Sequence, residues 1–149
     1  MSWLEPGKDL YNCIKHLRRN KFFGIDDKYS DIAASLVIPR STIFHHKALG
    51  VIIAKAVKLG ENVQIYQYVT LGGRSQGVSK KPGGPVIGDN VIIYAHACIL
   101  GGIRIGNNCI IGAYSLVLDD VPPNSLVYGI PAKIIRSVGK DYKSKGGEA

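Results

Sequence analysis

Cysteine is scarce in this sequence: Cys13, Cys98 and Cys109 are the only three, an odd number with no close-set pair. That excludes a disulfide-stapled scaffold and a CxxC metal site, and it points to free thiols in a reducing compartment. Long apolar runs are missing too. Val91 to Tyr94 is typical of the longest, far below the ~20 residues that span a bilayer. The opening "MSWLEPGKDL" has no basic stretch leading into an apolar core, so no secretory leader is expected and the cytoplasm is the default location. Acidic residues number 11 against 19 basic ones, a net charge of +8. The imbalance favours an anionic partner. The basic residues are scattered, with few aromatics interleaved as a nucleic-acid surface would have them, and a phosphate-bearing small molecule accounts for the charge equally well. Composition alone does not choose.

What is present is a chain of 149 residues, long enough for one domain with a real core, and a repeat. From Ile87 the sequence divides into sixes: IGDNVI, IYAHAC, ILGGIR, IGNNCI, IGAYSL, VLDDVP. Ile87, Ile93, Ile99, Ile105, Ile111 and Val117 open them. Val91, Ala97, Ile103, Cys109, Ser115 and Val121 fill the fifth place. IAKAVK, LGENVQ and IYQYVT, from Ile53, Leu59 and Ile65, continue the same frame upstream. A period of six fits neither a helix nor one alternating strand. It fits short strands joined by tight turns, with the first and fifth residues inward and each coil hydrogen-bonded to its neighbours.

Around this repeat the chain reads simply. Asp9 to Lys21 carries Leu10, Ile14 and Leu17 at helical spacing, a short amphipathic helix that could cap a coil end. Residues 72–85, rich in Gly, Ser, Lys and Pro, interrupt the sixes and read as a functional surface loop. The expected division is a helical cap segment at 1–30, the repeat domain at 31–136, and a basic flexible tail at 137–149. After Pro122-Pro123, "LVYGIPAKIIRSVG" is expected to leave the coil as an extension.

The sixes resemble the hexapeptide-repeat acyltransferases. The resemblance implies an all-β solenoid, a left-handed parallel β-helix of triangular coils, with Asn62, Asn90 and Asn107 or Asn108 at left-handed corners. Within that superfamily the chain is similar to the serine O-acetyltransferases and their sugar-acetylating relatives. "DIAASLVIPRSTIFHH", "LGENVQIYQYVTLGG" and "LVLDDVPPNSLVYGIPAKII" carry the likeness. It implies acetyl-CoA as donor, no metal, a homotrimer with active sites between subunits, and no nucleic acid.

Residue by residue, the resemblance places the catalytic imidazole at His46 and its carboxylate partner at Asp31, fifteen residues earlier. The chemistry asks for such a pair. A hydroxyl attacking a thioester needs a base to take its proton, and a carboxylate can orient the imidazole. His45 stands where the family has an acidic residue, and reads either as an acceptor contact or as an outward polar group. Gln67, Gly72 and Gly73 are implied at the cleft. Ala95, Ala113 and Pro131-Ala132-Lys133 are implied beside the coenzyme. The segment after His46 is one residue longer than the family's, and a bulge is expected to absorb it.

Two departures bear on the acceptor. The family's Arg-His-Pro triplet, which holds the amino-acid substrate, is replaced by Gly83-Gly84-Pro85, and its long helical N-terminal domain is not seen. The expected acceptor is therefore a sugar or polysaccharide-precursor hydroxyl. The alternatives are serine in cysteine synthesis and, from another class, a non-catalytic binding subunit. His96 reads as an outward polar residue, and the histidine set that a zinc carbonic anhydrase of this fold needs is not found.

Overall fold

The computed structural model describes residues 20–74 and 81–139. The helix read over Asp9–Lys21 lies almost wholly outside the described residues; only 20–23 are seen, and they are helical. Cys13, residues 75–80 of the loop, and the tail from 140 also lie outside them.

Short strands follow from the repeat, because a residue pair facing out and in is all that fits between turns six residues apart. They stack into the three faces of a triangular prism. The first face holds β1 (Asp31–Ile32), β3 (Ile52–Ile53), β6 (Thr70–Gly72), β9 (Cys98–Leu100) and β12 (Leu116–Val117). The second holds β4 (Lys58–Leu59), β7 (Val86–Ile87) and β10 (Arg104–Ile105). The third holds β2 (Ile43–Phe44), β5 (Gln64–Ile65), β8 (Ile92–Ile93), β11 (Ile110–Ile111), β13 (Ser125–Gly129) and β14 (Ala132–Ser137). Every pairing is parallel except β13 with β14.

Register stacks like on like. Ile53, Leu71, Ile99 and Val117 form one inward column, and Ile65, Ile93 and Ile111 another. All seven are at most 2% exposed. The fifth-position residues from Val57 to Val121 are buried between them, including Cys109, at 0%, and Ser115, whose hydroxyl donates to the Gly112 carbonyl at 2.6 Å. Burying each large aliphatic contributes ~1.5–3 kcal/mol, so the columns are the main source of stability.

One prism corner is an asparagine ladder. Asn62, Asn90, Asn108 and Asn124 all have φ between 56° and 59°. Each of the first three donates its side-chain amide to the next one's Oδ1, at 3.0–3.2 Å. Asparagine is the non-glycine residue best suited to this backbone, and here its amide also ties successive coils.

The C-terminal expectation needs correcting. Residues 125–129 do not leave the coil: β13 pairs in parallel with β11, placing Leu126 beside Ile110 and Val127 beside Ile111. Val127 is only 2% exposed, so the aliphatic pattern holds this strand in the prism for one more turn. The chain then reverses, and β14 covers the edge of β13. A covered edge no longer offers unpaired backbone groups to another chain.

Candidate functional site

The corner joining the third face to the first is built from residues 45–50, 66–68, 94–96 and 112–114, one segment per coil. Its middle column is Gln67, Ala95 and Ala113. The backbone N–H groups of these three make no hydrogen bond among the described residues. The asparagine corner differs. There the middle N–H groups of Glu61 and Asp89 donate to Asp89 Oδ1 and Asn107 Oδ1, each at 2.8 Å. Alanine has no side chain to cap the amide of the coil before it, so a row of free donors runs along this corner.

Aromatic columns flank that row. On one side Tyr68, His96 and Tyr114 stack with ring centroids 4.8 and 4.6 Å apart and planes within 10°. All three have left-handed backbone, with φ of 58–61°. The uppermost ring lies over Gly50, where a Cβ would fall 2.2 Å from Tyr68 Cδ1. On the other side Tyr66 stacks on His45 at 3.9 Å and faces Tyr94 at 5.0 Å. Burial pushes the Tyr66 phenol above its ordinary range, with a smaller push from Tyr94, so it stays a hydroxyl donor at neutral pH.

The histidine pair caps this corner. β2 pairs with β5 so that Phe44 meets Ile65, and His45 follows directly above Tyr66. His45 is half-buried, and its Nε2 lies 3.1 Å from Oε1 of Gln64, a side chain only 5% exposed. The extra residue after His46 is taken up by a short 3-10 turn, His45–Ala48, in which His46, Lys47 and Ala48 have φ of 51°, 56° and 59°. Three consecutive non-glycine residues in this region cost roughly 1–2 kcal/mol each. Strain of this kind persists where the surroundings over-determine it and often marks a functional segment. His46 itself is exposed.

Asp31 begins β1, on the first face, with its N–H donating to the Val51 carbonyl at 2.9 Å. Within the protomer its carboxylate forms neither a hydrogen bond nor an ion pair with His46 among the described residues. Gln67 has a buried Oε1 with no hydrogen-bond partner among the described residues. Gly72 and Gly73 lie at the opposite end of β6, beside the next corner, so one protomer does not bring them to the free-amide row. At the base of the 72–85 loop, Arg74 and Gly83 exchange backbone hydrogen bonds of 3.1 and 3.2 Å. Pro131, Ala132 and Lys133 follow Gly129 at the lower end of the row, and Lys133 is exposed. Cys98 faces out, half-buried, while Cys109 faces the core, and both are free thiols. No group of three His, Cys, Asp or Glu side chains gathers in metal-binding geometry among the described residues. None of their helices is long and apolar enough to cross a membrane.

Gln64 and the two aromatic columns were not singled out from the sequence. The signal was there: Tyr66 and Tyr94 recur at the second place of a six, and Tyr68, His96 and Tyr114 at the fourth.

Residues 84–119 match the family described as bacterial transferase hexapeptide (six repeats). The chain belongs to the hexapeptide-repeat superfamily. Its winding is the left-handed parallel β-helix, and its branch is the serine acetyltransferase-like one. The serine acetyltransferase of Staphylococcus aureus (strain N315) is 46% identical over 97 residues, which is 65% of this chain and 45% of the relative. Among solved structures, the Neisseria gonorrhoeae serine acetyltransferase in complex with serine superposes with a TM-score of 0.63 at 36% identity, covering 88% of this chain and 50% of that one. The Brucella abortus strain S19 serine acetyltransferase in complex with coenzyme A gives 0.67 at 37%, covering 74% and 43%. The hexapeptide-repeat chain thus spans less than half the length of the curated relatives it matches.

Proposed function

We propose that this chain carries the acyl-transfer centre of an acetyl-CoA-dependent O-acetyltransferase whose acceptor is the hydroxyl of L-serine. The observation that supports it most is the row of free amides at Gln67, Ala95 and Ala113, running from the strained turn that presents His46. An extended amide-bearing arm such as pantetheine has carbonyls for these donors, and the alanine floor leaves room for it. Lys133, at the row's lower end, suits a phosphate. The donor supplies an activated acyl group as a thioester.

His46 is the general base in this reading. Its imidazole takes the proton from the acceptor hydroxyl as that oxygen bonds to the thioester carbonyl carbon. The carbon–sulfur bond then breaks, and the thiolate leaves and recovers a proton, with no acyl group resting on the protein. The buried, unpaired Oε1 of Gln67 accepts a hydrogen bond from the acceptor. Asp31 orients His46, a contact that requires movement or assembly beyond the single protomer. A homotrimer with sites between subunits meets that need and brings Gly72 and Gly73 to a neighbour's amide row.

The relatives' names move the acceptor from the sugar hydroxyl expected from the sequence to serine. One observation favours the sugar as a second reading. Gly83-Gly84-Pro85 supplies no guanidinium of its own where the family's triplet grips the amino acid, although Arg74 pairs with Gly83 across the loop base. Release of coenzyme A thiol from acetyl-CoA, measured over L-serine and a panel of sugars, decides. Turnover of serine alone supports the first reading, and turnover of a sugar alone the second. No turnover, together with coenzyme A failing to raise Tm, favours a non-catalytic binding subunit.

A further inference from the structure

The imidazole that the protomer itself holds in place is His45, not His46. Its Nε2 is 3.1 Å from Gln64 Oε1, its face lies 3.9 Å from the Tyr66 ring in planes 16° apart, and Gln64 is 5% exposed on β5. With the amide oxygen facing the ring, the tautomer that makes this hydrogen bond is the one with the proton on Nε2. In the neutral ring the lone pair then belongs to Nδ1, and no described side chain occupies it. The stacked Tyr66 phenol fixes the plane of the ring.

We propose that Gln64 is a positioning residue: it holds His45 as the Nε2–H tautomer, so that Nδ1 receives a hydrogen bond from the acceptor. The inference rests on the acetyl-transfer reading for the acceptor but not for the tautomer. It defines the chemistry that this side of the site recognises. A lone pair on Nδ1 meets a donor, either the hydroxyl about to be acetylated or the ammonium of an amino-acid acceptor. It has nothing to offer a carboxylate. The same ring in the other tautomer would present an N–H to the acceptor, and Gln64 would either turn its amide to donate or leave Oε1 buried without a donor, at ~1–3 kcal/mol.

The test compares the intact chain with Gln64→Leu and Gln64→Glu. Leucine keeps the bulk and removes the acceptor, while glutamate keeps an oxygen facing Nε2–H. Long-range proton–nitrogen correlation spectra report the His45 tautomer without any turnover. They should show a protonated Nε2 and a bare Nδ1 in the intact chain and in Gln64→Glu, and a mixed or reversed ring in Gln64→Leu. With L-serine and acetyl-CoA, Gln64→Leu should raise the serine KM about 10-fold, as expected for one lost hydrogen bond, with kcat within about twofold. Gln64→Glu should restore it.

An Nδ1–H ring in the intact chain overturns the proposal. So does a Gln64→Leu chain with unchanged tautomer, or one whose tautomer changes while KM does not. Failure of every acceptor to turn over defeats the acetyl-transfer reading. The spectra still decide whether Gln64 sets the ring, and addition of L-serine with coenzyme A must then perturb the Nδ1 resonance for the acceptor contact to stand.

Discussion

His96 and Tyr114 lie ring on ring, centroids 4.6 Å apart and planes 3° from parallel, although both have left-handed backbone that glycine would adopt without strain. Two effects oppose each other at this corner. Stacking on both faces of His96 contributes ~0.5–1.5 kcal/mol per contact, while the backbone costs ~1–2 kcal/mol. His96→Ala keeps the strain and loses the rings, so it should destabilise by about 1–2 kcal/mol. His96→Gly loses the rings but relieves the strain and should melt between the alanine variant and the parent. A glycine variant that melts below the alanine one would contradict this balance.

The asparagine corner gives a second test. Asn90 accepts from Asn62 and donates to Asn108, so Asn90→Ala loses two amide bonds as well as the side chain's tolerance of positive φ. Urea denaturation should show a loss of about 2 kcal/mol. Asn62 makes only one rung of the ladder, and its alanine variant should lose less.

Close approach of coils gives a third. A Cβ on Gly106 would sit 2.5 Å from the Pro123 nitrogen and 2.7 Å from its Cα, and backbone cannot move aside without parting the coils. Gly106→Ala should cost about 3 kcal/mol. Gly139→Ala, with nothing within 4 Å, should leave Tm within the small range of ordinary surface substitutions.

The loop base is tied by charge. Lys81 Nζ is 2.8 Å from Asp120 Oδ2, and that bond, with the Arg104 N–H at 2.9 Å, holds the Asp120 carboxyl below its usual range. A depressed carboxylate pKa contributes its full tie above the unfolded value near ~3.9 and loses it as pH falls through the lower folded value. Loop-base protection should therefore be level from neutral pH to about pH 5 and fall below about pH 4. At neutral pH, Asp120→Asn should speed exchange of the Gly102 amide, which donates to the Lys81 carbonyl at 2.9 Å. Equal exchange in both chains would contradict the tie.

The prism was legible in the sequence because its rule is local. Aliphatics every six residues, from Ile53 to Leu71 and again from Ile87 to Val117, name the inward columns directly, and Asn62, Asn90 and Asn108 mark corners whose backbone few residues tolerate. The site was less legible. Whether the amides of Ala95 and Ala113 are free depends on what the side chain of the next coil fails to reach, which spacing does not show. The partnership of His45 with Gln64 joins residues nineteen positions apart through a strand register that no motif encodes. The strand at 125–129 read as an exit because prolines precede it, yet stacking on Ile110 and Ile111 keeps it in the coil.

The most direct test of the whole account is kcat of His46→Ala with acetyl-CoA and L-serine at saturation, alongside the Tm shift produced by coenzyme A. If the exposed ring on the strained turn is the base, kcat falls by about 100-fold or more while the coenzyme still raises Tm as it does in the parent. Undiminished turnover in the alanine variant would contradict it.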